Sequence, residues 1–413
     1  MAMRDQIVCW VGKSVAEENL KNYSIDITGG TENDQGYMSD IVFVETKGTT
    51  KDNEPTSLHL VVKHAKNNNH LRKAMPIDEI FENEIYMYQT VFPAFLKFQR
   101  AKKATELFDC TPRCLYSSSS GSMEVLVLEN LRMKGYQQYD RKKPMNLAHC
   151  KAVLQRYGIL HAVSFALRQQ YAKTFDDLVS KLGDPNSTLF ESSNIGNVYD
   201  DSFALALEMF EKNGDSDIHE KLRKLLGKGC STMVKEVLRA MYIEPQSVIS
   251  HGDCWCNNFL FKYEGGDCNI PSGVSILDWQ FSSLRSPVFD LSYFIYAVCS
   301  KTELESFEEL LQVYYESFAA HLTDLGSDPE EVFPYADLKI HWKKYSLYGF
   351  IHMIPALRVI LCDKDKAPSL NDCEEGAEFG DVFKLGLLGG EALVYDRLKA
   401  VVSHYFDFQE KNI

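Results

Sequence analysis

The chain has 413 residues, room for two domains or one large two-lobed unit. Hydrophobic residues make up 45% and charged residues 25%, the composition of an ordinary globular protein, and no apolar run approaches the ~18 residues of a membrane-spanning helix. A formal net charge of -14 argues against a protein built to grip a nucleic-acid backbone or an anionic membrane. It leaves room for a nucleotide, whose phosphates are met locally by Mg²⁺ and one or two lysines.

The eleven cysteines are scattered and contain no C-x2-C pair, and the closest are Cys110 with Cys114 and Cys254 with Cys256. That pattern predicts reduced thiols in a cytoplasmic protein. The start, Met1-Ala-Met-Arg-Asp-Gln, leads into no sustained apolar segment, so no secretory signal is expected.

Residues 4 to 22 read as a helix packed on the first lobe. From Ile25 to Val44 the sequence reads strand, turn, strand, and Gly29, Gly30 and Gly36 permit a positive φ and close backbone approach there. Such a turn can lie over phosphates, but the spacing is not G-x-G-x-x-G, the signal alone is weak, and a plain hairpin accounts for it better. Leu58-His-Leu-Val-Val-Lys-His-Ala alternates as a third strand, with Lys63 near its end. A helix follows from about Asp78 to Thr90, with Ile80, Phe81, Ile85 and Tyr88 at steps of three and four. Glu84 falls on or beside that buried stripe and needs a partner, for which Lys63 is the candidate. A hairpin with a Ser/Gly turn then ends at Glu129-Asn130-Leu131, where a strand runs straight into a connector.

The second part of the chain reads as helical. Residues 147 to 171, 203 to 211 and 218 to 243 carry apolar stripes, with Gly227 and Gly229 breaking the last, while Asp184-Pro-Asn-Ser and Lys212-Asn-Gly-Asp read as loops. Leu304 to Phe318 forms one further stripe, Trp342, Tyr345 and Tyr348 another, and Glu391 to Phe406 a last amphipathic helix. The division expected is 1–130 and 131–413.

Between these helices lies the stretch that carries chemistry: His251-Gly-Asp-Cys-Trp-Cys-Asn-Asn, then Ile276-Leu-Asp-Trp-Gln, then Ser286-Pro-Val-Phe-Asp-Leu. Asp253, Asp278 and Asp290 each sit at the edge of an apolar run, where a carboxylate is costly without a task. Phosphoryl transfer needs one carboxylate to orient or deprotonate the accepting hydroxyl and two oxygen ligands to hold Mg²⁺ against phosphates. Asp253, with Asn258 five residues on and Asp278 brought back by a hairpin, supplies that set in the order protein-kinase-type enzymes use. Asp290 opens a helix, as a cap or as a support for the loop through backbone N–H groups or His251. Trp255 is a candidate for the acceptor wall, though packing and loop shape explain it better. Gly12-Lys-Ser resembles the end of a P-loop, but Ile7 stands where its first glycine belongs, and no G-x-S-x-G appears.

The catalytic block, together with Phe81-x-x-Glu84-x-x-x-Tyr88 and Val127-Leu-Glu-Asn-Leu, resembles the ecdysteroid kinase-like family, a branch of the aminoglycoside phosphotransferase and choline kinase-like group. The resemblance implies a bilobal α+β protein-kinase-like fold, with a small, mainly antiparallel β N-lobe carrying one key helix and a large, mainly helical C-lobe. It implies Asp253 as catalytic base, Asn258 and Asp278 as Mg²⁺ ligands, Lys63 as the phosphate-binding lysine held by Glu84, and the main chain of Glu129 to Leu131 as the adenine-binding hinge. Asn130 departs from the Asp common in relatives. Trp279-Gln280 after Asp278 departs from the Phe-Gly of protein kinases and argues against protein substrates.

The reading is an ATP- and Mg²⁺-dependent kinase of a small-molecule hydroxyl, with an ecdysteroid or other lipophilic alcohol as the implied acceptor. Trp342, Tyr345 and Tyr348 suit an apolar acceptor wall, and core packing explains them at least as well. Two alternatives stand beside it: a choline-, ethanolamine- or aminoglycoside-like amino-alcohol kinase, which needs an acidic and aromatic cage, and a pseudokinase binding module. No nucleic acid, membrane or obligate protein partner is expected.

Overall fold

The computed structural model describes residues 3–30, 39–66, 68–120, 123–363 and 391–411. The amino-terminal part is built on one antiparallel sheet of five strands: β1 (Lys21–Gly30), β2 (Ser39–Thr49), β3 (Pro55–Ala65), β4 (Cys114–Ser118) and β5 (Val125–Glu129). Their order is β1-β2-β3-β5-β4. Alternation assigns the two faces. Leu60, Val62, Val125 and Val127 pack under Trp10, Val11 and Val15 of the helix Met3–Glu17. Leu126 and Leu128 point the other way, into the main core with Ile80 and Phe81. Val61 and Lys63 therefore leave β3 on the face away from the first helix.

That first helix is shorter than the sequence predicts. Asn19 takes a left-handed conformation (φ 59), and the chain turns through it into β1. A left-handed residue after the last turn is a helix stop, usually supplied by glycine and sometimes, as here, by asparagine. The helix carrying Glu84 is longer than predicted: Ile77–Tyr86 runs through a π-turn, Met87–Val91, into Phe92–Lys102. Pro93 follows the π-turn directly and supplies no N–H to the helix there.

After β5 the chain passes through a 3₁₀ turn, Leu131–Lys134, into the helical lobe. The architecture is thus α+β and bilobal. The central helix Leu147–Gln170 is buried along most of its length and packs against Phe307–Asp324. Their contact is close because residue 158 is glycine: a Cβ there would lie 2.8 Å from both the Phe318 nitrogen and the Tyr314 oxygen. Two small sheets on this lobe hold the chemistry-bearing loops. One has the order β6 (Tyr136–Gln138), β8 (Phe259–Lys262), β9 (Gly273–Ile276), and the other pairs β7 (Val248–Ile249) with β10 (Leu284–Arg285).

Asp184-Pro-Asn-Ser, predicted as a loop, begins the helix Pro185–Ser192. Asp184 accepts the Ser187 N–H and Pro185 occupies the first turn, so residues that mark a turn here mark a helix start. The aromatic stripe predicted over Trp342, Tyr345 and Tyr348 is split at Ser346, between the helices Tyr335–Tyr345 and Leu347–Leu361. Among the described residues, no helix is long and apolar enough to cross a membrane.

Candidate active site

The two lobes enclose a cavity of about 370 Å³. At its inner end Lys63 Nζ stands 2.5 Å from Glu84 Oε2 and 2.6 Å from Asp278 Oδ1. The Lys63 and Glu84 side chains are almost wholly buried, while that of Asp278 is 28% exposed to the cleft. Burial alone would push the Lys63 amine down, but Asp278 and Glu84 outweigh it, so Lys63 stays firmly charged. Glu84 Oε1 also accepts the Trp279 N–H at 3.3 Å, which ties the helix to the residue after Asp278. Asn83 adds a second tie, its amide donating to the Gln280 and Ser282 carbonyls at 3.1 and 2.8 Å. Trp279 itself is fully buried and packs edge-on against Phe92 and His251.

The loop after β7 is shaped by Asp290. Its Oδ2 accepts the His251 N–H at 2.7 Å and His161 Nε2–H at 3.2 Å; its Oδ1 accepts the Gly252 N–H at 2.9 Å and the Cys254 thiol at 3.3 Å. Asp290 lies in the helix Val288–Val298, yet its carboxylate grips a neighbouring loop rather than capping its own helix. Burial pushes this carboxyl up, but the hydrogen bond from His161 and the backbone N–H of His251 help to more than offset that and hold it below the ordinary aspartate value. Gly252 is dictated by geometry. Its φ is +87°, and a Cβ would stand 2.1 Å from the Phe281 carbonyl oxygen.

His251 joins the loop to the strand that presents Asp278. Burial lowers its pKa, so the ring is neutral; Nε2–H donates to the Leu277 carbonyl at 2.8 Å and Nδ1 accepts from the Tyr157 hydroxyl at 3.1 Å. The Leu277 N–H donates to the Asn258 carbonyl at 2.9 Å. Asp278 then takes a left-handed conformation, φ 64, uncommon outside glycine.

Asp253 lines the cleft between these supports. Its Oδ1 accepts the Tyr293 hydroxyl at 2.9 Å and its Oδ2 the Asn258 amide at 2.8 Å. Asn258 Nδ2 also donates to the Asp253 carbonyl at 2.9 Å. Desolvation and the Asp278 charge push the Asp253 carboxyl up, Tyr293, Asn258 and Trp255 pull it down, and it comes to rest at about 7.

Lys63, Glu84, Glu129, Asn130, Leu131, Trp255, Asn258 and Tyr348 all line the cavity with Asp253 and Asp278. Asn130 caps the turn at the lobe junction: its Oδ1 accepts the Arg132 N–H at 3.1 Å and its own N–H donates to the His59 carbonyl at 3.0 Å. Gly29 and Gly30 are not in the cavity wall. They pair with Phe43 and Val42 inside β1, and it is Ser39, Ile41 and Phe43 of β2 that line the cleft. Gly36 lies outside the described residues.

Trp342 and Tyr345 also stand away from the cleft. Trp342 is fully buried among Tyr296, Phe307 and Phe408, and the Tyr345 hydroxyl donates to Glu244. The break at Ser346 explains why Tyr348 alone of the three reaches the cavity. Residues that sequence reasoning missed are Asn83, Tyr199, Tyr293 and His352. Tyr293 was legible in part, because it follows Asp290 by three positions on the same helix.

A five-stranded lobe and a helical lobe, closing on a lysine–glutamate pair and two loop aspartates, define a kinase-like phosphotransferase. The sequence profile of the ecdysteroid kinase-like family matches residues 33–327, and the chain belongs to that family. Wild-type aminoglycoside 2′-phosphotransferase-IIIa, in a GDP complex, is 11% identical; the alignment covers 96% of this chain and 99% of that one with a TM-score of 0.39. A glucosamine kinase in complex with glucosamine, ADP and inorganic phosphate is 9% identical over 91% of this chain and 95% of its own, with a TM-score of 0.30. No curated protein matches the chain.

Proposed function

We propose that this protein transfers the γ-phosphoryl group of ATP to a hydroxyl of a lipophilic alcohol. The observation that carries the reading is the convergence of Lys63, Asp253, Asn258 and Asp278 on one cavity whose far end is apolar. Residues 1–130 then supply the nucleotide lobe and 131–413 the acceptor lobe. Ile41, Val61, Leu128 and Leu277 line the cavity with apolar surface suited to a purine, as do Glu129 to Leu131 at the lobe junction.

The residues present fit Mg²⁺. Asn258 commits its amide nitrogen to Asp253, which leaves Oδ1, a hard oxygen without a proton, and Asp278 binds Lys63 through Oδ1 alone. Asn258 and Asp278 would hold the ion, and when bound it would neutralise charge on the transferring phosphate. Lys63 meets phosphate oxygens as a fixed cation, positioned by Glu84. Asp253 accepts the hydrogen of the attacking hydroxyl, oriented by Tyr293 and Asn258.

The acceptor class rests on the lining of the far end: Leu189, Phe190, Val198, Pro355, Val359 and Ile360. Among the described lining residues the acidic ones are Glu84, Glu129, Asp253 and Asp278, and Glu129 is paired with Lys134 at 2.6 Å. An ammonium group at the apolar end would meet no acidic cage, which favours a lipophilic alcohol, an ecdysteroid or similar compound, over an amino alcohol.

The test is ATP turnover with Mg²⁺ against hydroxysteroids, terpenoid alcohols, choline, ethanolamine and aminoglycosides, with phosphorylated products identified by mass spectrometry. Phosphorylation confined to the lipophilic alcohols is the expected result. Preference for the amines would favour the second reading, and tight Mg²⁺–ATP binding without transfer to any acceptor would favour a pseudokinase.

A further inference from the structure

The helix Leu347–Leu361 brings His352 to the acceptor end of the cavity, a position for which no sequence motif signals a role. The ring is half-buried and held on several sides. Its plane stacks on Tyr348, centroids 5.5 Å apart at 12°, and Tyr293 meets it edge-on at 4.5 Å. On one edge Nδ1 lies 2.5 Å from the Tyr199 hydroxyl. Tyr199 is buried, and its hydroxyl has no other hydrogen-bond partner among the described residues.

This geometry selects a tautomer. A phenol is the stronger donor of such a pair, and His352 Nδ1 is the acceptor within its reach, so the hydroxyl hydrogen points at Nδ1. Burial lowers the imidazole to about 4, so the ring is neutral near pH 7. The remaining ring hydrogen must then sit on Nε2, which has no protein partner among the described residues. His352 is only half-buried and lines the cavity, so this fixed donor is open to the cleft, where a water or an acceptor oxygen can meet it. Two other residues of the same lining carry polar atoms, Tyr348 Oη and Asn186 Nδ2, that are buried and lack hydrogen-bond partners among the described residues. Of these groups, His352 Nε2 is the one whose donor direction the Tyr199 contact fixes.

The position relative to the reacting centre is also fixed. Tyr293, whose ring abuts His352, donates its hydroxyl to Asp253 Oδ1. One aromatic ring thus separates His352 from the carboxylate proposed to face the acceptor hydroxyl.

We infer that His352 is a specificity-determining residue: its Nε2–H donates to a second oxygen of the acceptor, close to the hydroxyl that is phosphorylated. The acceptor class is then a lipophilic alcohol with a neighbouring hydroxyl, ether or ketone oxygen, rather than a simple mono-alcohol. This rests on the small-molecule kinase reading for the reaction but not for the binding.

The experiment measures binding and transfer separately, using steroid and terpenoid vicinal diols, each paired with the mono-alcohol that lacks the second oxygen. Calorimetry on the full chain with Mg²⁺ and a non-hydrolysable ATP analogue gives affinities whether or not phosphate moves. The wild type is expected to bind the diol of at least one pair on the order of tenfold more tightly than its mono-alcohol. His352→Phe keeps the ring stack and removes both nitrogens, and should reduce that ratio to about one. His352→Gln, whose amide nitrogen reaches the place of Nε2, should restore part of it. Tyr199→Phe removes the group that fixes the tautomer and should reduce the ratio. Equal loss for both members of a pair in His352→Phe, an unchanged ratio, or a wild type that distinguishes no pair overturns the assignment. Binding with the expected ratio but no transfer would leave this inference standing and remove the kinase reading.

Discussion

Lys63 Nζ lies 2.6 Å from Asp278 Oδ1 across the cleft, so one cation bridges the sheet of the first lobe and the loop of the second. The same amine holds Glu84 at 2.5 Å, and two carboxylates thus depend on a single buried charge. Removing it leaves both unpaired. Lys63→Met is expected to cost about 3–5 kcal/mol of stability, the usual penalty for breaking a buried pair from one side. It should also weaken nucleotide binding. Glu84→Gln keeps a hydrogen-bonding oxygen beside the amine and should cost less on both counts. Chemical denaturation and nucleotide titration of the two variants check this, and equal stability of Lys63→Met and wild type would refute it.

Asp253→Asn tests the base. The amide retains an oxygen for Tyr293 or Asn258 but takes no proton from the acceptor. Turnover is expected to fall by about 10²–10⁴-fold, the range general-base catalysis supplies. Nucleotide affinity should stay within a few-fold of wild type, because Lys63, Asn258 and Asp278 are intact. Single-turnover kinetics beside equilibrium binding separate the two effects. A variant that loses binding and turnover together would show Asp253 to be a ligand rather than a base.

How much of this was legible in the chain depends on the kind of signal. The order His251, Asp253, Asn258, Asp278 marks the catalytic loops because each residue type is tied to a task and the spacing is local. The Lys63–Glu84 contact was legible because a glutamate on an apolar helical stripe demands a cation. Periodicity placed the helices but not their ends, since Asn19 and Asp184 act through backbone conformation and capping. The acceptor wall was least legible. Trp342, Tyr345 and Tyr348 share a sequence period, and only the break at Ser346 decides which of them reaches the cavity. His352 and Tyr199 meet across 153 positions, a distance no local pattern spans.

Gly252 offers a test of the loop's geometry. Any side chain there carries the strain of φ +87° and meets the Phe281 carbonyl at 2.1 Å. Gly252→Ala is expected to destabilise the protein by more than the ~1 kcal/mol of left-handed strain alone, because the loop or the Phe281 segment must shift. Turnover should fall with it, since Asp253 is the next residue. A melting temperature and turnover both within error of wild type would contradict the close packing described.

Asp290 sets a pH dependence whose sign follows from its contacts. Two backbone N–H groups, His161 and Cys254 all donate to its carboxylate, and its folded pKa lies below the ordinary value. A depressed carboxyl contributes stability that is complete above its unfolded pKa of about 3.9 and is lost as pH falls through the folded value. Asp290→Asn turns an amide hydrogen toward donors and should cost about 2–4 kcal/mol at neutral pH. The gap between wild type and variant should stay constant from pH 7 down to about 4, then narrow as the wild-type carboxylate is protonated. Urea unfolding of both proteins at pH 7, 5, 4 and 3 measures it. A gap that closes already between pH 7 and 5 would mean that the carboxyl titrates high, and that the hydrogen bonds to His251 and Gly252 do not hold it ionised.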